Sequence, residues 1–187
     1  LAIWEVAEVV LVAVVTVFII RSFLVQPFLV SGASMEPNFG DKNYLLVDEI
    51  SYRFRDPQRG EVIVFKYPNN PSTFYIKRIV GLPGEKVEIK QGGVYISSSG
   101  SSEKSALKEN YLVPELKTAG NAAVTLGSND YFVLGDNRNY SYDSRSWGVF
   151  DKKYIVGLAR LRLFPVTEIG IFNYTNASAS FNSASSN

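Results

Sequence analysis

Ser34 stands in the stretch Val30-Ser31-Gly32-Ala33-Ser34-Met35-Glu36-Pro37, and its type and neighbours make it a candidate nucleophile. Small residues around a lone serine leave room for a polypeptide to lie against the hydroxyl. Gly32 lets the backbone pass close to another group or take a conformation that a side chain forbids. Pro37 biases Glu36 toward extended backbone. A serine hydroxyl needs a base to become nucleophilic. The chain has no histidine and no cysteine, which excludes Ser–His–Asp and Cys–His catalysis and leaves lysine and the carboxylates. Read alone, the eight residues are a polar turn behind an apolar segment; the rest of the chain must decide.

A candidate base lies in Phe74-Tyr75-Ile76-Lys77-Arg78-Ile79-Val80. In a strand, alternate residues share a face, so Tyr75, Lys77 and Ile79 lie together and Phe74, Ile76, Arg78 and Val80 lie opposite. A lysine desolvated among apolar neighbours loses affinity for its proton. A neutral amine near pH 7 can take a serine proton. The competing reading is an edge strand with both basic groups reaching out to solvent. A third polar feature is Gly135-Asp136-Asn137-Arg138-Asn139-Tyr140-Ser141-Tyr142-Asp143-Ser144-Arg145-Ser146-Trp147-Gly148. Here Asp143 and Arg145 can pair, and Ser141 and Ser144 can hydrogen-bond an amine. Such a composition is also that of a turn that satisfies its own backbone.

Several elements must position these groups. The 187 residues suffice for one anchored domain, or one domain with an insert. The net charge of +1 and the lack of a basic stripe give no reason to expect nucleic acid. Without His or Cys, a zinc site is not expected. Residues 1–20 read as one apolar helix, which at about 1.5 Å per residue reaches roughly 30 Å, the hydrocarbon thickness. Its uncharged part, 9–20, is twelve residues, with Glu5, Glu8 and Trp4 before it. A signal peptide wants basic residues first and a small-x-small site after. Acidic residues come first here and Arg21-Ser22-Phe23-Leu24 follows, so a membrane anchor over 1–21 is favoured over a signal peptide or a buried helix. Arg21, the only flanking base, would by itself direct the following domain to the cytoplasm.

Beyond the helix the periodicity is that of strands: 23–30 with Pro27 marking an edge, then 43–47, 60–65 and 74–80. A hairpin follows over 85–96, turning at Gln91-Gly92-Gly93, and further strands cover 131–134 and 155–163. Residues 51–59 read as a polar turn and 67–71 as a loop. Residues 97–105 are rich in Ser and Gly, and 97–127 have little periodicity. The fold expected is mainly β: an antiparallel sheet over 22–172 with a smaller inserted subdomain at about 90–128. The Asn/Ser-rich residues 173–187 read as a disordered tail.

Taken together, the three polar segments resemble the bacterial type I signal peptidases. The resemblance covers roughly 21–163. It is carried by Ser31-Gly32-Ala33-Ser34-Met35-Glu36-Pro37, by Arg59-Gly60-Glu61-Val62-Ile63-Val64-Phe65, by Tyr75-Ile76-Lys77-Arg78-Ile79-Val80-Gly81-Leu82-Pro83-Gly84-Glu85 and by the loop from Gly135 to Gly148. The resemblance implies a Ser–Lys dyad, with Ser34 attacking the scissile carbonyl and Lys77 as general base. Ser141 would hold the Lys77 amine, Asp143 and Arg145 would fix the loop as an ion pair, and Asp136 would support it. Oxyanion binding falls to the Ser34 N–H and the Gly32 position, where some members carry a serine. Since Gly32 has no side chain, a second donor must be another N–H or a hydroxyl such as that of Ser31.

The family cuts exported preproteins after small-x-small, without metal or other cofactor, at the outer face of the bacterial plasma membrane and anchored in the lipid bilayer. Shallow pockets for the small residues map to Phe28, Val30, Met35, Phe39, Tyr75 and Ile76, and the substrate would add as a strand. Two other readings compete. A self-cleaving Ser–Lys repressor-type domain would carry a DNA-binding helix-turn-helix segment. A membrane-anchored β domain could instead bind a partner without catalysis.

Overall fold

In the computed structural model, which describes residues 3–23, 25–98 and 104–174, the alternating segments form two antiparallel sheets behind a single long helix. The helix, α1, covers Ile3–Phe23, and β1 (Val25–Leu29) begins one residue after it. Then come β2 (Tyr44–Asp48), a one-turn helix α2 (Ser51–Phe54), β3 (Val62–Tyr67), β4 (Asn70–Gly81), β5 (Glu85–Lys90) and β6 (Gly93–Ser98). The chain continues through β7 (Ser105–Ala106), β8 (Ala122–Thr125), β9 (Asp130–Leu134), the short α3 (Ser144–Trp147), β10 (Phe150–Asp151), β11 (Ile155–Phe164) and β12 (Gly170–Ile171). The large sheet runs β1-β2-β11-β3-β4-β9-β10, with β12 on β11; the small one runs β7-β6-β5-β8.

The apolar run of β3 dictates its central place: Val62, Ile63, Val64 and Phe65 are all buried, which requires cover on both faces. Pro27 sits in β1, which pairs only with β2, so its missing N–H costs no ladder bond. The expected loop at 67–71 is instead a tight turn, because Tyr67 pairs with Asn70 and β4 starts there. The 51–59 turn contains the helical turn α2, whose Ser51 hydroxyl and N–H bind the Asp48 carboxylate.

The hairpin turns at Gln91 and Gly92, both with positive φ, as a two-residue connection between right-twisted strands requires. The inserted sheet begins at Glu85 rather than near 90, since β5 pairs with both β6 and β8. Its core side chains Val87, Ile89, Val94 and Ile96 pack against Val80, Phe132 and Leu134 of the large sheet. Residues 99–103, within the Ser/Gly-rich stretch, and 175–187, most of the expected tail, lie outside the described residues. Ahead of them, Phe172 stacks on Phe39 and the Tyr174 hydroxyl donates to the Ala159 carbonyl at 2.7 Å, so residues 173 and 174 belong to the packed domain.

Helix α1 is largely apolar apart from Glu5 and Glu8 near its start and Arg21 near its end, and Ile3, Trp4, Val6, Val9, Val10, Leu11 and Val12 are all exposed. Among the described residues no helix is long and apolar enough to cross a membrane. Glu5, Glu8 and Arg21 confine the uncharged run to twelve residues, short of the roughly 20 that a span needs. From Ile3 the expected segment is thus borne out as a helix, and its role as a span is not.

Candidate active site

Ser34 lies in the loop joining β1 to β2. The loop satisfies much of its own backbone: Val30 N–H donates to Asn43 O, Lys42 N–H to Val30 O and Phe39 N–H to Met35 O, each at 2.9 Å. Gly32 has φ +93°, a conformation that favours glycine, and its N–H donates to Asp41 Oδ1 at 2.8 Å. That N–H is taken up in closing the loop, while Gly32 itself lines the same cleft as Ser34 and Lys77.

Lys77 reaches Ser34 from β4. The strand alternation puts Lys77 on the face of Tyr75 and Ile79, against the cluster of Ile63, Phe65, Tyr131 and Val133. Its side chain is 3% exposed, which rules out the solvent-facing reading. Lys77 Nζ donates to Ser34 Oγ at 2.7 Å and to Ile76 O at 2.9 Å, and stands 5.5 Å from the Tyr75 ring centre. Burial pushes the amine down to about 8, against an opposing pull from the carboxylates of Asp143 and Asp136.

The 135–148 loop closes over this pair. Asn137 N–H donates to Ser34 O at 3.0 Å and its Nδ2 to Ala33 O at 3.0 Å, so one residue, by backbone and side chain, clamps the nucleophile's own backbone. Asp143 accepts from Arg145 Nε and NH2, each at 2.8 Å, and from Gly135 N–H at 3.0 Å. Burial works to raise its carboxyl, but the Arg145 guanidinium and the Gly135 N–H hold it below the ordinary value. Asp136, 1% exposed, takes Arg78 with both oxygens at 2.8 and 2.5 Å and also accepts from Asn38 Nδ2 at 2.8 Å. Ser144 is spent on β9, where its Oγ accepts from Val133 N–H at 3.0 Å. Ser141 Oγ is buried and makes no hydrogen bond to Lys77 Nζ, whose partners are Ser34 Oγ and Ile76 O, so the expected hold on the amine is not formed; the hydroxyl lies instead by the Asp143 carboxylate, which it helps to hold low. Gly135 lets these parts meet: a Cβ there would lie 2.1 Å from Ser141 Oγ and 2.5 Å from the Ser34 carbonyl oxygen.

Ser34 and Lys77 open on a cleft of about 320 Å³. Of the residues expected to shape it, Phe28, Val30, Tyr75 and Ile76 line it. Met35 and Phe39 do not: at 0% and 1% exposure they fill the core beneath the loop with Leu45, Val62 and Ala159. The two flank the three-residue turn 36–38 and form a β-bridge with each other, which turns both side chains to its floor. Phe74, Tyr140 and Tyr142 also face the cleft. Nothing in their sequence spacing marks them, because the cleft is assembled from three separate segments. Asn38, Asn137 and Gly135 were likewise missed, since each acts across a loop–loop contact. Among the described residues no group of acidic side chains is placed to hold a metal ion.

The free edges fit an extended ligand. β4 pairs with β9 only at Arg78, Ile79 and Gly81, so residues 74–77 have no ladder partner on that side among the described residues.

Comparison with known proteins agrees with this layout. A probable signal peptidase I-2 of Synechocystis sp. is 39% identical over 148 residues, which are 76% of this chain and 64% of that protein. Signal peptidase I of Leptolyngbya laminosa is 39% identical over 150 residues, 75% of this chain and 70% of the relative. Signal peptidase I of Bacillus amyloliquefaciens is 36% identical over 176 residues, 90% of this chain and 91% of the relative. The chain therefore spans just under two thirds of the first of these relatives and nearly all of the last. Residues 3–164, which hold every group of the Ser34–Lys77 site, match the signal peptidase, peptidase S26 family, and the chain belongs to it.

Proposed function

We propose that this chain is a membrane-bound serine endopeptidase that removes N-terminal signal peptides from exported preproteins, with Ser34 as nucleophile and Lys77 as general base. The observation that carries the reading is the 2.7 Å contact between Ser34 Oγ and an amine withdrawn from water. Neutral Lys77 accepts the Ser34 proton as Oγ attacks the scissile carbonyl. The ammonium then gives that proton to the departing amine. In the second half, Lys77 takes a proton from water as the water oxygen attacks the acyl carbon; the bond from that carbon to Ser34 Oγ breaks, the ammonium returns the proton to Oγ, and the acid product leaves. The Ser34 N–H and the Ser31 hydroxyl serve as oxyanion donors. Asp143, Arg145 and Asp136 keep the loop in register.

The substrate adds as a strand along 74–77, with its small side chains against Phe28, Val30, Tyr75 and Ile76; a shallow wall of this kind leaves no depth for large ones. Helix α1, largely apolar between Glu8 and Arg21, lies in the bilayer and holds the domain on the extracytoplasmic side.

Only neutral Lys77 can act as the base. With its pKa near 8, the active fraction is about a tenth at pH 7, half at pH 8 and nine-tenths at pH 9. kcat/KM is expected to rise about tenfold per unit below pH 7, about fivefold from pH 7 to pH 8, and to level off above pH 9. A rate flat from pH 6 to 9 excludes this base.

The decisive experiment is incubation of the detergent-solubilised protein with a labelled precursor, with product ends read by mass spectrometry. The wild type is expected to make one cut, after small-x-small, and Ser34→Ala none. Continued cutting by Ser34→Ala sinks the reading. Membranes carrying the chain are expected to retain it through an alkaline carbonate wash; release removes the bilayer from the proposal.

A further inference from the structure

Between β7 and β8 the chain makes an arm, residues 107–119, that belongs to the small sheet but does not pack on it alone. Both ends are tied to that sheet, by Leu107 N–H to Val94 O at 2.8 Å and Thr118 N–H to Gly92 O at 2.9 Å. Between these ties the arm reaches the large sheet. Glu109 binds the Arg138 guanidinium with both oxygens, and Thr118 Oγ1 accepts from the same group. The Tyr111 ring lies 4.0 Å over the Arg78 guanidinium. Its carbonyl accepts from Asn38 Nδ2 at 2.8 Å, and its hydroxyl donates to Glu109 Oε1 at 2.7 Å.

Both arginines are buried, at 5% for Arg78 and 2% for Arg138. A buried guanidinium stripped of its carboxylate is strongly destabilising, so the arm's side chains are not optional decoration. Arg138 passes the constraint on. Its Nε donates to Gly135 O at 3.1 Å, and its carbonyl accepts from Arg145 NH2 at 2.7 Å. Arg145 holds Asp143, which holds the Gly135 N–H. Arg78 holds Asp136, which shares Asn38 with the arm. Two chains of contacts therefore run from the insert to the loop that clamps Ser34.

We infer that the 107–119 arm positions the catalytic apparatus: Glu109, through Arg138, and Tyr111, through Arg78 and Asn38, set the register of the 135–145 loop against Ser34 and Lys77. The inference rests on the peptidase reading for its rate consequences. Its electrostatic consequence stands apart from that reading. The Lys77 amine faces the Ser34 hydroxyl, the Ile76 carbonyl and the Tyr75 ring on its near sides, and feels the carboxylates of Asp143 and Asp136 from the loop. Those carboxylates favour the ammonium, so a loop that slips away lets the amine lose its proton at lower pH.

The test is Glu109→Gln in the full chain, which keeps the shape of the side chain and removes its charge. Expected are a kcat about tenfold lower with KM within about twofold, and a pH–rate midpoint lower by about half a unit. Lys108→Ala, at an exposed position of the same arm, is expected to keep kcat within about twofold. NMR titration of the Lys77 amine reads the same midpoint without substrate. A wild type that cuts no precursor sinks the peptidase reading, yet the titration shift still decides the positioning role. If Glu109→Gln does not fold, Thr118→Val, which removes one acceptor from Arg138, must move the midpoint in the same direction. A variant with a lower Tm but wild-type kcat and Lys77 titration overturns the inference.

Discussion

Lys77→Met is expected to abolish processing while leaving the protein as stable as before, or more so. The activity loss should be about 10³-fold or greater, because general-base catalysis is worth 10²–10⁴ and members of a catalytic unit fail together. The stability gain follows from the same burial. In the folded state the amine titrates near 8, against 10.5 when unperturbed. Between those values the unfolded chain binds the extra proton, so wild-type stability rises with pH over that window as far as this group is concerned. At pH 7 both states carry the charge, and keeping an ammonium in the core costs on the order of 2–3 kcal/mol. Methionine fills a similar volume and carries no charge. The bond lost to Ile76 O lies on the open edge of β4, where solvent can replace it. A Tm higher by about 2–5 °C is expected from calorimetry at pH 7. A variant that keeps a tenth of its activity, or that melts more than about 5 °C lower, is incompatible with this view of the site.

Gly135→Ala is the second large effect. Alanine has no conformational objection here, since Gly135 is not among the positive-φ residues. The obstacle is space. The new methyl would meet Ser141 Oγ at 2.1 Å, Ser141 Cβ at 2.5 Å and the Ser34 carbonyl at 2.5 Å. A hydroxyl can turn aside, but a backbone carbonyl held by Asn137 N–H cannot do so without moving the nucleophile. Overpacking of this kind costs about 1–3 kcal/mol in stability. A shift of about 1 Å at a reacting atom costs on the order of 10²-fold in rate. Gly40→Ala is the matched control. Its Cβ would meet only Asn43 Nδ2, at 3.7 Å, and activity should stay within about twofold. Near-normal cleavage by Gly135→Ala would mean that the loop does not fix Ser34.

Much of this was legible in the chain itself. Every strand expected from alternation appears, and Lys77 lies on the face that alternation assigns it. The pairing of Asp143 with Arg145 was readable because two residues of separation on a tight turn bring opposite charges together. Asp136 was expected to support the loop, but its partners Arg78 and Asn38 come from 58 and 98 residues away, and local patterns carry no such information. Met35 and Phe39 were misplaced for the opposite reason. Their closeness to Ser34 in sequence points to the cleft, whereas a turn with two bulky apolar flanks sends them to the core beneath. The reach of the insert into the site was also hidden. Residues 107–119 have no period, and their order comes from the partners they find across the molecule.

The join between α1 and β1 has a consequence for encounter rates. The helix ends at Phe23, β1 starts at Val25 and Ser34 follows nine residues later. That leash extends at most about 36–40 Å from the end of the helix. Any surface that captures α1 therefore keeps the serine within a thin layer above itself. Collisions with chains caught on the same surface then depend on how densely that surface is populated. Diluting a suspension of such vesicles should leave the turnover of co-resident substrate unchanged, while turnover of free peptide falls in proportion.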